Sequence, residues 1–219
     1  MQEFIEIPAN PSSLARRKPL FGVAINDAWY VTQPTVIGKR FICPYYCTWK
    51  DMIKRSYYQS FIKKNPTYKG CSVVKEWLLF SNFRKWMEAH DWEGRELDKD
   101  ILISGNKEYG PESCIFVSHK NNSLLNRHEA VRGEYPQGVS LRKDNGKYKS
   151  GCSVNGKQTH LGCFDTIKAA EYVYLVFKAD LIRKTAHEEE AANNPKLQSA
   201  LLRHAELFAK KARSLKDLP

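Results

Sequence analysis

Between residues 46 and 61 the apolar positions Trp49, Ile53 and Tyr57 fall four apart, the spacing of one helix face, so Tyr46–Phe61 is predicted to be helical. The Asn65-Pro66 pair is expected to end that run, because proline cannot continue a helix. A second helix is predicted over Lys75–Asp91, where Trp77, Phe80, Phe83, Trp86 and Met87 make an apolar stripe of the kind that faces a core. Leu97–Ile103 then alternates as a strand does, Gly105–Tyr109 reads as a turn, Cys114–Val117 as a second strand, and Asn122–Ala130 as the start of a helix. Strand, loop, strand, helix is a ββα unit. The opening 40 residues are Pro-punctuated and irregular, with a short strand expected at Phe21–Ile25.

The pattern changes at Gly138, after the Gly-Glu-Tyr-Pro-Gln linker of residues 133–137. Asp144-Asn145-Gly146 and Asn155-Gly156 are tight-hairpin signals, since Asn and Gly accept positive φ at little cost, and they separate three short strands. Asp165 and Thr166 offer helix-cap oxygens, and the following helix puts Ile167, Ala170, Val173/Tyr174, Phe177 and Leu181 on one face. Beyond residue 185 a helical tail carries the stripe Leu197, Leu201, Leu202, Ala205 and Phe208, expected to pack on its own domain, with homodimer formation as the alternative. The preceding Glu188-Glu189-Glu190 run reads as a solvated face. The fold class expected is α+β: an irregular segment (1–40), a ββα domain with aromatic-rich helices (41–132), the linker, a three-stranded antiparallel sheet on one helix (138–184), and a helical tail (185–219).

Composition and charge narrow the partners. The 219 residues carry a formal net charge of +11 with 42% hydrophobic residues, enough for a packed core and suited to a polyanion. The charge is uneven: residues 138–184 hold nine Lys/Arg against four Asp/Glu, whereas residues 1–137 reach the same excess over nearly three times the length. No apolar run approaches the roughly 18 residues of a membrane helix, and Met1–Leu20 has no secretory h-region. A cytoplasmic protein with no membrane partner is therefore expected. Six scattered cysteines then read as reduced thiols.

The strings GV-x-x-R, GKY, NGK and LG-x-F-D-T, with the AAEYVY helix, span nearly all of 138–184. They resemble the DNA-binding domain of plant ethylene-response (Apetala-two) factors, shorter versions of which occur in phage nucleases. In that family one sheet face lies in the major groove and the helix packs on the other, which implies double-stranded DNA as partner. Strand alternation by itself sorts Val139, Leu141, Tyr148, Cys152, Val154 and Leu161 to the core face or its rim, and Ser140, Arg142, Lys149, Gly151, Ser153, Gln158 and His160 to the opposite face. Of the family's groove-contacting positions, only Arg142 keeps its residue type, so the plant target site does not transfer. A guanidinium there can bond guanine O6 and N7 together. Lys143, Lys147, Lys149 and Lys157 sit at turns and strand edges and are expected to bind phosphates.

The strings FGVAINDAWY, CPYYCTW-x-x-M-x-x-R, EWLLFSNFRKWM, LDKDIL-x-x-GNK-x-Y-x-PE-x-C and FV-x-x-x-N, from about residue 20 to 126, resemble phage proteins grouped with HNH homing endonucleases. That resemblance implies a single Mg²⁺ (or Mn²⁺) at a scissile phosphate and, for a phage-encoded chain, the cytoplasm of an infected bacterium. The family's first-strand His is replaced by the Leu97-Asp98-Lys99-Asp100 run, and its central Asn aligns with Ser113. Asp98, Asp100 and Asn122 are then the candidate metal ligands, with Asn121 or His119 as near alternatives to Asn122 and His119 as a candidate base. The alternative reading is that Asp98, Lys99 and Asp100 form a salt-bridged cap and Asn106-Lys107 a turn, leaving a degenerate, DNA-docking scaffold. A third reading assigns Zn²⁺ to Cys43, Cys47, Cys71 and Cys114, although their spacings are looser than in zinc ribbons and knuckles. The expected function is a metal-dependent DNA endonuclease or nickase; the alternative is a non-catalytic DNA-binding or regulatory protein.

Overall fold

The computed structural model describes residues 4–125 and 133–216. The chain divides into two units: residues up to Asp100 together with Gly105–Val117, and Ile101–Ser104 together with the chain from Ser118 onward. The division falls between Val117 and Ser118, upstream of the 133–137 linker, and helix residues expected at 126–130 lie outside the described residues.

In the first unit a short helix α1 (Pro11–Ala15) is capped by Asn10, whose side chain accepts the Ser13 N–H at 2.7 Å. The segment that follows has few backbone partners, and Arg17 supplies them. Its guanidinium donates to the carbonyls of Asn26 at 3.0 Å, Ala28, and Tyr30 at 2.7 Å. This fork orders the opening segment and lets Ala24, Ala28 and Tyr30 enter the core. The strand expected at Phe21–Ile25 is a turn with positive φ at Phe21 and Gly22, leaving isolated bridges from Leu20 to Ala24 and from Ile25 to Leu79. A minimal hairpin, β1 (Thr35–Val36) and β2 (Lys39–Arg40), leads to α2 (Pro44–Tyr57). The helix predicted over 46–61 is two, broken at extended Tyr58, with α3 (Gln59–Lys64) ending at Asn65 as expected. Trp49, Met52 and Ile53 of α2 are fully buried, and Trp49 Nε1 donates to the Trp77 carbonyl at 2.7 Å.

After β3 (Ser72–Val73), the second predicted helix is also shorter: a 3₁₀ turn at Lys75–Leu78, extended Leu79, then α4 (Phe80–Glu88). The interruption has a partner. Ile25 N–H bonds the Leu78 carbonyl at 2.8 Å and Phe80 N–H bonds the Ile25 carbonyl at 3.0 Å, so Leu79 stays extended to make a bridge. The predicted stripe is otherwise the core, with Trp77, Phe80, Phe83 and Met87 buried. β4 (Glu96–Asp98) ends well before Ile103, β5 (Glu108–Tyr109) pairs parallel with β3 where a turn was expected, and β6 (Ile115–Val117) pairs antiparallel with β4.

The second unit contains α5 (His119–Leu124), β7 (Val139–Leu141), β8 (Tyr148–Val154), β9 (Lys157–Phe164), α6 (Ile167–Ala186), α7 (Glu189–Ala192) and α8 (Pro195–Lys216). The three strands form an antiparallel sheet in the order β7-β8-β9. Both hairpins close as the Asn-Gly signals predict: Gly146 has φ +70°, and Asn155 and Gly156 have φ +50° and +76°. Thr166 caps α6, accepting the Ala169 N–H at 3.1 Å. Gly138 opens the module because nothing larger fits: with φ +80°, a Cβ there would lie 2.0 Å from the Tyr174 ring.

Helix α6 is buried on more than the one predicted face. Ala170 and Tyr174 belong to the predicted stripe, whereas Leu175, Ala179, Ile182 and Ala186, also nearly inaccessible, form a second arc. Two long helices explain it, because α8 packs along α6 and brings Leu197, Leu201, Ala205 and Ala212 into the interior. Lys211 pairs with Glu171 at 2.7 Å along that junction. The tail is thus part of its own unit's core, with Leu202 left 38% exposed. α8 also holds the Ile101–Ser104 excursion, through Arg203 to the Leu102 carbonyl at 3.1 Å and a His204 Nε2–Ile101 carbonyl contact at 3.0 Å. The glutamate run is structural rather than merely solvated: Glu190 accepts the Ser118 N–H at 2.8 Å and the Asn121 amide at 2.6 Å, and Glu188 pairs with Lys120.

Truncating a fully buried leucine of α8 removes apolar contact and leaves a cavity between the two long helices. Leu201→Ala is expected to lower unfolding stability by about 3 kcal/mol, read as a shift in urea midpoint; a change below about 0.5 kcal/mol would mean that α8 is not part of this core.

Candidate nucleic-acid interface

Residues paired across an antiparallel sheet share a face, so the register decides which side chains stand together. Ser140 opposes Lys149, Lys149 opposes Cys163, Gly151 opposes His160, and Ser153 opposes Gln158. Positions 149, 151 and 153 alternate along one strand, so all of these lie on one face. The other face carries buried Cys152 and Ser150, and Cys152 shares a buried cluster with Tyr174 of α6. The sorting expected from strand alternation is therefore the one the sheet adopts. Ser140, Arg142, Ser153, Gln158 and His160 are exposed, and Lys149 is half-buried.

One irregularity adds a residue that simple alternation misses. The ladder slips between Ser150 and Gly151: Ser150 opposes Gly162 and Gly151 opposes His160, so β9 carries an extra residue, Leu161. Leu161 packs with the α6-side cluster, and Gly162 takes φ +134°. Because of the slip, His160 and Cys163, three apart and so on opposite faces of a regular strand, share the open face, with Nε2 3.9 Å from Sγ. Arg142 Nη1 also approaches Cys163 Sγ, at 3.8 Å. Arg142, His160 and Cys163 thus form a small cluster on this face.

The guanidinium is already held. Arg142 bonds Asp144 through two nitrogens, Nε to Oδ1 at 3.0 Å and Nη2 to Oδ2, which keeps the exposed Asp144 carboxyl below its ordinary range. Such a fork fixes the plane of the arginine and leaves Nη1 directed toward Cys163. Among the lysines expected at phosphates, Lys147 pairs with Asp165 at 3.2 Å, and Lys143 and Lys149 have no ion pair among the described residues. Lys157 departs from its neighbours. It opposes Val154 in the ladder and so stands on the α6 side of the sheet, beside the hairpin tip.

The proposed metal ligands are differently disposed. β4 stops at Asp98, so Asp98 and Asp100 do not share a strand face; Asp98 Oδ1 accepts the Asp100 N–H at 2.7 Å and turns the chain. Asp100 is paired with Lys99 Nζ at 2.6 Å. That ammonium, on a residue only 5% exposed, also donates to the Asn106 carbonyl, and Asn106 returns a bond to the Lys99 carbonyl at 2.9 Å. This is the salt-bridged cap that the sequence offered as its alternative. Asn122 and His119 lie on α5, in the other unit. Cys43, Cys71 and Cys114 are buried free thiols and Cys47 is exposed; burial pushes the Cys114 thiol up to about 12, away from the thiolate that zinc requires. Cys43 Sγ is engaged with the Tyr30 hydroxyl at 3.2 Å. Among the described residues no group of three or more His, Cys, Asp or Glu is placed to hold a metal ion. Asp98 and Asp100 are thus engaged within their own loop, and Cys43, Cys71 and Cys114 are buried as thiols.

A metal that bound the native state would raise its melting temperature by mass action. Adding millimolar Mg²⁺ or Mn²⁺ is expected to leave the thermal midpoint within about 1 °C of a matched ionic-strength control, since a 1 kcal/mol effect would move it by about 2–4 °C. A saturable rise abolished by Asp98→Ala would show that the cap opens to admit a cation.

No family model matches the chain, and neither does any curated protein or any solved structure.

Proposed function

We propose that this chain is a double-stranded-DNA-binding protein that docks the open face of the β7-β8-β9 sheet in the major groove. The observation that carries the reading is the register: it gathers Ser140, Arg142, Lys149, Ser153, Gln158, His160 and Cys163 on the face opposite α6. That face offers donors and acceptors of the kind that read base edges, with Lys143 and Lys149, which have no ion pair among the described residues, placed for phosphate. The Asp144 fork fits this role, because an arginine fixed in plane loses less freedom on meeting a guanine. The family resemblance of 138–184 points the same way.

Fluorescence anisotropy with randomised and selected duplexes separates the roles. Arg142→Ala is expected to cost about 1–3 kcal/mol on the preferred sequence and little on others. Lys149→Ala should weaken all sequences alike and flatten the log K against log salt slope by about one. Asp144→Asn should raise non-specific affinity while reducing discrimination, as the fork is released. If none of the three changes DNA binding, the sheet face is not the interface.

A second reading, hydrolysis of the DNA, rests on the resemblance of residues 20 to 126 to HNH endonucleases. It requires Asp100 to leave Lys99 and Asp98 to leave its turn before either meets a metal. The non-catalytic reading is the one this geometry favours. Supercoiled plasmid incubated with the protein and Mg²⁺ or Mn²⁺ is expected to stay closed; nicking that disappears in the Asp98→Ala/Asp100→Ala double variant would restore the nuclease assignment.

A further inference from the structure

In the second unit β8 runs on past its pairing with β7, which ends at Ser150. At that edge a cleft of about 750 Å³ opens, bounded by α5, by β8 and its hairpin to β9, and by one side of α6. Its walls include Lys120, Ser153, Gln158, Tyr174, Lys178 and Leu181. No aspartate or glutamate is among the described residues that line it.

Lys178 is the anomaly. It sits in the middle of α6, 6% exposed, with its side chain lining the cleft, and it makes no hydrogen bond or ion pair with any described residue. An ammonium without a counter-charge is among the costliest groups to bury, and proteins normally pair it or leave it out. Burial accordingly draws the Lys178 amine below its ordinary range, and the neighbouring Cys152 thiol, itself raised by burial, offsets this in part. Every other charged side chain whose residue is buried to this degree among those described is answered: Lys99 has Asp100 and the Asn106 carbonyl.

We propose that this cleft is a binding site for a phosphate group carried on a nucleotide-sized body, with Lys178 as its counter-charge. The chemistry follows from the walls. Lys178 supplies a point charge from the α6 side, and the Ser153 hydroxyl and Gln158 amide, which stand on the opposite sheet face, reach the cleft at its rim, where β8 runs past β7. Neither has a side-chain hydrogen bond within the described residues. A tetrahedral oxyanion with several acceptor oxygens satisfies more of these than a single carboxylate. The volume falls in the range of small-molecule sites, about 300–1,000 Å³, and is far larger than phosphate alone needs. Tyr174, Leu181, Leu124 and Val154 give the remainder an apolar surface on which a base or sugar can rest. A backbone phosphate of bound DNA offers the same charge, and the counter-charge itself, Lys178 on α6, lies outside the sheet face proposed to dock DNA.

Thermal-shift and calorimetric titrations of the full chain test this, with inorganic phosphate, a 5′-mononucleotide, its nucleoside, and a short duplex lacking terminal phosphates, each against equal chloride. Inorganic phosphate and the mononucleotide should raise the midpoint saturably, the mononucleotide at lower concentration, and the nucleoside should not. Lys178→Met should melt higher than wild type without ligand and bind the mononucleotide at least tenfold more weakly, with Lys178→Gln as a second variant that keeps polarity but not charge. Protection by the duplex that is lost in Lys178→Met supports the same site with a strand phosphate as occupant. Lys149→Ala should keep the mononucleotide response, so that loss of groove docking and loss of this site are read separately. The proposal fails if no phosphate compound shifts the wild type beyond chloride, or if both Lys178 variants respond as wild type does.

Discussion

The second unit depends on burying α6 on two sides. One arc of the helix lies against the three-stranded sheet through Tyr174 and Cys152, and another lies against α8 through side chains such as Leu175, Ala179 and Ile182. A three-stranded sheet with one helix is a small core, and α8 extends it with five more buried apolar positions. The small residues Ala170, Ala179 and Ala186 are what allow both neighbours to approach one helix axis. This packing also sets the sheet face: with α6 covering one side, the other side is left as the surface that carries Arg142, His160 and Cys163.

The first unit solves a different problem. Its helices are short and its strands are two or three residues long, so much of its backbone lacks a ladder. Individual side chains satisfy the backbone instead. Arg17 gathers three carbonyls, Trp49 reaches the Trp77 carbonyl, and Asn106 closes the loop that follows β4. The same economy governs Asp98 and Asp100. Asp98 and Asp100 are occupied in turning the chain and in holding a buried ammonium, which is a structural use of groups whose spacing also suits a cation.

Two lysines show how context decides what a buried charge means. Lys99 is answered on all sides and reads as part of the scaffold. Lys178 is buried to the same degree and faces a cleft with no acid among its described lining residues. Their sequence surroundings give no warning of the difference, since both lie beside an apolar stretch and within two residues of an aspartate.

The sequence by itself determined most of the second unit's sheet and helix. Asn155-Gly156 and Asp144-Asn145-Gly146 carry the conformational freedom that tight hairpins require, Thr166 carries the cap oxygen, and strict alternation places Ser140, Lys149, Ser153 and Gln158 together. These are local signals, set by φ preferences and by the two-residue period of a strand. What the tertiary structure decided is whatever needs a partner distant in sequence. Leu79 is extended because Ile25 bridges to it, Glu190 is a cap because Ser118 and Asn121 meet it, and the β9 slip brings Cys163 beside His160. The extra residue in β9 is invisible to alternation because it breaks the period that alternation assumes. The role of Asp98 and Asp100 was likewise open in the sequence, where a metal pair and a salt-bridged cap look alike; the position of the Lys99 ammonium, buried between Asp100 and Asn106, separates the two.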